Sequence, residues 1–83
     1  MKFEAHINIM PHKALLDPQG KAVTGSMKNI GLPQINNVRV GKRITLEVEA
    51  DNEDKAKQMV DEACKKLLAN QIMESYDFTL QPL

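Results

Sequence analysis

Three side chains in this 83-residue sequence have chemistry of their own: His6, His12 and Cys64. The two histidines could act as an acid/base pair or as metal ligands. His6 falls on the polar side of an alternating segment, and His12 follows a proline. No third ligand has a spacing that ties it to them, and no Cys/His cluster has metal-site spacing. Cys64 could serve as a nucleophile, but it lies at the edge of an apolar helical stripe. An activated thiolate needs an electropositive, accessible setting, so a structural thiol is the simpler reading. No G-x-G-x-x-G or G-K-[ST] loop is present. The residue pattern therefore offers no catalytic site, no metal site and no cofactor site.

A polar cluster is left, Asp17-Pro18-Gln19-Gly20-Lys21. Asp17 and Pro18 have a local explanation. Asp is a strong N-cap, and Pro at the first helical position gives up no needed hydrogen bond. Gln19, Gly20 and Lys21 have no such explanation. A glycine-bearing first helical turn with one lysine could hold an anion or dock against a partner.

The elements that position these residues follow from periodicity. Residues 2 to 10 alternate, with Phe3, Ala5, Ile7 and Ile9 on one face of a strand. A helix is predicted from Asp17-Pro18, with Val23, Met27 and Ile30 at helical spacing and Gly31 as a left-handed stop. Gly20 and Gly25 weaken it, which suggests close approach by another backbone. Residues 35 to 50 read as a hairpin: Ile35, Val38 and Val40, a turn at Gly41-Lys42-Arg43, then Ile44, Leu46 and Val48. Keeping apolar residues on one face requires a three-residue loop, or a bulge near Gly41, that pairs Val40 with Ile44.

A second helix is capped by Asp51 or Asn52. Its stripe is Ala56, Met59, Val60, Ala63, Leu67 and Leu68, and Asn70 is its expected stop. Tyr76, Phe78 and Leu80 alternate in a last strand. The order is β-α-β-β-α-β. It predicts an α+β, ferredoxin-like domain, a four-stranded antiparallel sheet with two helices on one face, spanning 1–83 as a single unit.

Composition narrows function. Eleven basic residues balance eleven acidic ones, which argues against nucleic acid or an anionic membrane as partner. RNA-binding domains of the same element order carry stacking aromatics on their central strands. Here the first strand has only Phe3 and the segment Ile44–Ala50 has none. No apolar run approaches the roughly 20 residues of a membrane span. The alternating, acid-bearing start is not a secretory signal, and a single thiol suits the cytoplasm. A domain this small is marginal alone, and with one cysteine and no metal site, oligomerisation is the expected source of further stability.

Three blocks of the sequence resemble the PurS family, the small subunits of phosphoribosylformylglycinamidine synthase in purine biosynthesis. The first is Lys13 to Val23. The second is Val38-Arg39-Val40-Gly41-Lys42 with the alternation Ile44 to Glu49. The third is Cys64 to Asn70 followed by Ile72 to Tyr76. Gln71 stands where the family often has proline, which bears on how the second helix ends.

The resemblance implies a non-catalytic subunit of a glutamine-dependent carbon–nitrogen ligase, inactive alone. Such a subunit joins a glutaminase subunit, PurQ, to a synthetase subunit, PurL. The ligase converts formylglycinamide ribonucleotide, glutamine and ATP to formylglycinamidine ribonucleotide. ATP and Mg²⁺ would be bound by the synthetase, and this chain would form a homodimer or tetramer. Partner contact is expected at Asp17, Gln19, Gly20 and Lys21, and at Arg39, Gly41 and Lys42, where Arg39 lies opposite Val38 and Val40. The alternative is a regulatory module of the same element order that binds a small molecule.

Overall fold

The computed structural model describes residues 1–13 and 17–83. Ala14, Leu15 and Leu16, part of the first PurS-like block, lie outside the described residues. The order among these is β1 (Lys2–Pro11), α1 (Pro18–Asn29), β2 (Lys42–Glu49), α2 (Glu53–Ala63), a π-helical turn (Cys64–Leu68) and β3 (Glu74–Pro82).

Strand β1 is central and antiparallel to both neighbours, giving the order β2-β1-β3. The register sets Phe3 opposite Val48, Ala5 opposite Leu46 and Ile7 opposite Ile44. On the other side Ala5 faces Leu80 and Ile7 faces Phe78. Every one of these positions is on the same side of the pleat, so the alternation in three separate segments builds one apolar face. Helix α2 lies on it with Ala56, Val60 and Cys64 fully buried. Asn52 caps α2, its side chain accepting from the Lys55 N–H at 2.9 Å.

The predicted four-stranded sheet is not formed: three strands are present among the described residues. The segment Ile35–Val40 is not a strand. The reason is local. Its N–H donors are already used by side chains of the α1 region, Val38 N–H by Thr24 Oγ1 at 3.0 Å and Val40 N–H by Asp17 Oδ2 at 2.9 Å. Asn37 has φ 55°, which interrupts any extended run. Val40 therefore does not pair with Ile44, and the three-residue hairpin loop does not exist. Ile44 pairs with Ile7 instead.

The two helices also do not share one face. Helix α2 packs on β1 and β2, whereas α1 has no extended packing against any strand. Its predicted inner stripe is largely bare: Val23 and Ile30 are exposed, Ile30 by 67%. The ends of α1 are as predicted. Asp17 caps the start, and Gly31, at φ 82°, sits in the left-handed position after the helix. Gly31 N–H bonds Lys28 O and Leu32 N–H bonds Met27 O, the two bonds of a Schellman motif.

The exit of α2 differs from expectation. It widens into a π turn, and Ala69 N–H closes on Cys64 O at 2.9 Å. Asn70 does not take a left-handed conformation; its side chain instead accepts from Ile72 N–H and its carbonyl from Met73 and Glu74. The turn carries Cys64 to the centre of the core and leaves Leu67 outward, 82% exposed.

Helix α2 and β3 are tied by Tyr76, whose hydroxyl donates to Asp61 Oδ1 at 2.5 Å, while Lys65 sits 2.9 Å from Asp61 Oδ2. Donation to that carboxylate, with burial adding to it, pushes the Tyr76 phenol up to about 12. The sequence has one tyrosine, so its phenolate absorbance reports this contact alone. Titration should give a midpoint near that value, and Asp61→Asn should bring it down toward the ordinary tyrosine range of about 10. An ordinary midpoint in the unaltered protein would contradict the contact.

Candidate functional site

The site is the junction of α1 with the segment that leads into β2. Asp17 holds it together with both carboxylate oxygens. Oδ1 accepts from Gly20 N–H at 3.0 Å, and Oδ2 accepts from Val40 N–H at 2.9 Å. These two backbone donors, Gly20 first, hold the Asp17 carboxyl below its usual range; the nearby Arg39 charge adds to the effect and partial burial opposes it. One turn further, Thr24 Oγ1 donates to Gly20 O at 2.8 Å and accepts from Val38 N–H.

Two glycines are dictated by this packing. A Cβ on Gly20 would overlap the Val38 carbonyl oxygen and come within 2.6 Å of Asp17 Oδ2. A Cβ on Gly41 would overlap Ile9 O and Met10 Sδ, where the chain crosses the end of β1. Asp17 and Gly20 are thus structural members of the junction, and Gly41, itself exposed, is fixed by its packing on the end of β1. The anion-binding idea for the α1 N-terminus is also corrected, because the Asp17 carboxylate already sits there.

The other predicted residues lie outside the clamp. Gln19 and Lys21 are exposed in the first turn of α1. The Arg39 guanidinium donates to Pro11 O, and Lys42 Nζ is 3.7 Å from Glu74 Oε2. Beside the clamp, Lys13, Lys21, Lys28 and Arg39 line an open groove of about 910 Å³ together with Asp17, Thr24, Gly25, Asn37 and Val38. Sequence reasoning missed Thr24, Lys13 and Lys28 here. The i, i+7 spacing of Lys21 and Lys28 across Gly25 marks one helix face and was the available signal.

The chemically active side chains are committed elsewhere. His6 Nδ1 accepts from Arg43 Nη2 at 2.9 Å, and its Nε2 lies 2.9 Å from Glu4 Oε1 without a well-formed hydrogen bond. His12 Nε2 is 3.2 Å from Gln71 O. Cys64 is fully buried, and desolvation, with Asp61 nearby, pushes its thiol up. No group of three or more His, Cys, Asp or Glu residues could hold a metal among the described residues. No helix among them is long and apolar enough to cross a membrane.

This architecture defines a class, a small α+β protein whose first helix is mounted off its sheet by a carboxylate clamp. The family model for PurS, phosphoribosylformylglycinamidine (FGAM) synthase, matches residues 4–82, and the chain belongs to that family. A Synechocystis PurS subunit is 36% identical over 81 residues, covering 98% of this chain and 81% of that one. The Methanocaldococcus jannaschii PurS subunit is 31% identical, covering 98% of both chains. The fold matches a chain of the Thermotoga maritima PurLQS structure with TM-score 0.89 at 34% identity, over 98% of this chain and 99% of that one.

The clamp gives an acid-dependent prediction. Asp17 is held below its unfolded value, so its stabilisation is fully present above about pH 4 and is lost as pH falls through the lowered folded value. Asp17→Asn should therefore be less stable than the parent at neutral pH, with the gap between their denaturant midpoints narrowing in acid. A gap independent of pH would contradict the clamp. Gly20→Ala should destabilise by about 1–3 kcal/mol through overpacking against Val38; an unchanged midpoint would show that the contact yields freely.

Proposed function

We propose that this chain is a non-catalytic assembly subunit of FGAM synthase that joins the PurQ glutaminase to the PurL synthetase, and that it does so as a homo-oligomer. The observation that carries the oligomer is the bare first helix. The Cα radius of gyration is 16.4 Å with extents of 51 × 27 × 14 Å, against about 12 Å for a compact chain of this length. Helix α1 has no extended packing on the sheet, and Ile30, Leu32 and Ile35, at its end and after it, are exposed. A small domain with an apolar stripe left bare is completed by a second copy laying its own surface against it.

The joining role rests on family membership and on the commitment of His6, His12 and Cys64 to structural contacts. ATP and Mg²⁺ are then the synthetase's ligands. Gln19, Lys21, Arg39 and Lys42 are surface residues fit for partner contact, while Asp17, Gly20 and Gly41 shape the surface they stand on. The open groove with its lysines also favours a second reading, a regulatory module that binds a small anion. Calorimetry of the isolated chain with ADP, glutamine and the ribonucleotide separates the two.

The chain should co-purify with a glutaminase and a synthetase, tested with and without ADP, Mg²⁺ and glutamine. By itself it should turn over no glutamine. Failure to co-purify under any of these conditions, or glutamine turnover by the chain alone, would overturn the proposal.

A further inference from the structure

Gly25 stands in the middle of α1 without a cause inside this chain. A glycine there costs roughly 0.5–1 kcal/mol relative to alanine. Gly20 repays that cost by admitting the Val38 carbonyl, but nothing lies within 4 Å of where a Gly25 Cβ would be. Gly25 instead lines the open groove, flanked on the same helix by Lys21 and Lys28, with Lys13 and Arg39 contributed by the segments that follow β1 and precede β2. Among the described residues Asp17 is the one carboxylate lining the groove, so four cations face a single negative charge and the lining keeps a net positive charge.

The groove is also separate from the bare apolar stripe. Lys21 and Ile30 are nine residues apart, about 900° or half a turn at ~100° per residue, so they project to opposite sides of α1. A second copy covering Val23 and Ile30 leaves the groove side of the helix free for a different occupant. No aromatic side chain lines the groove, so a nucleobase has nothing to stack on. A missing Cβ on the groove floor suits instead the close approach of a main chain.

We propose that this groove docks an extended acidic polypeptide segment of a partner subunit, its backbone crossing α1 at Gly25 and its carboxylates meeting Lys13, Lys21, Lys28 and Arg39. This rests on the assembly role proposed above and identifies the surface and the chemistry of that contact. Charge contacts of this kind weaken with salt.

Two variants test it with complementary physics. Gly25→Leu fills the groove floor while improving helix propensity, so the isolated chain should melt at the same or a higher temperature. Its affinity for the synthetase and glutaminase should nevertheless fall roughly tenfold or more. The double variant Lys21→Glu, Lys28→Glu should keep the oligomeric mass and lose partner affinity to a similar degree, and affinity of the unaltered chain should drop with added salt.

If the unaltered chain assembles and both variants assemble equally well, the inference fails while the assembly role stands. If the unaltered chain does not assemble at all, the assembly role fails first. A change in oligomeric mass in the charge variant would make the groove a contact between copies and overturn the inference. Tight binding of ADP or inorganic triphosphate to the isolated chain, abolished by the charge variant, would overturn it in favour of a small anion.

Discussion

The Asp17 carboxylate decides the layout of this molecule. One oxygen starts α1 by taking the Gly20 N–H, and the other takes the Val40 N–H from a segment twenty-three residues away. That second bond, with the Thr24 hydroxyl on Val38 N–H, removes the donors that a strand at 35–40 would need. The segment becomes a brace for the helix rather than a fourth strand. Helix α1 is then directed by hydrogen bonds at its first two turns and not by burial of its apolar stripe.

Two consequences follow from that single placement. The sheet is left with one covering helix, whose core of Phe3, Ile7, Ile9, Val60 and Cys64 is fully buried and accounts for the folded body. The first helix extends beyond that body with two different sides. One bears Val23 and Ile30 and needs apolar cover; the other bears Lys21, Gly25 and Lys28 and faces an open basic groove. A subunit that holds copies of itself on one side and other chains on the other is a natural use of such a helix.

Much of this was legible in the residues because it depends on short-range rules. Period-2 alternation marked β1 and β3 and their inner faces. Asp17-Pro18 and Gly31 marked both ends of α1, and the PurS-like blocks marked the family. What was not legible depended on tertiary competition. Val38 and Val40 are spaced as strand neighbours should be, yet their N–H groups were claimed by two side chains, Thr24 of α1 and its N-cap Asp17. The stripe of Val23, Met27 and Ile30 reads as an inward face and is bare in a single chain, because sequence periodicity does not say whose core a stripe will join. The π turn that moves Cys64 inward and Leu67 outward breaks the 3.6-residue period on which the α2 stripe was predicted.

The central claim is that α1 is completed by a second copy of this chain. Denaturant unfolding followed as a function of protein concentration tests it most directly. If folding and association are coupled, stability should rise by about 1.4 kcal/mol for each tenfold increase in concentration, and the midpoint should move with it. A midpoint independent of concentration, together with a monomer mass in solution, would contradict the account.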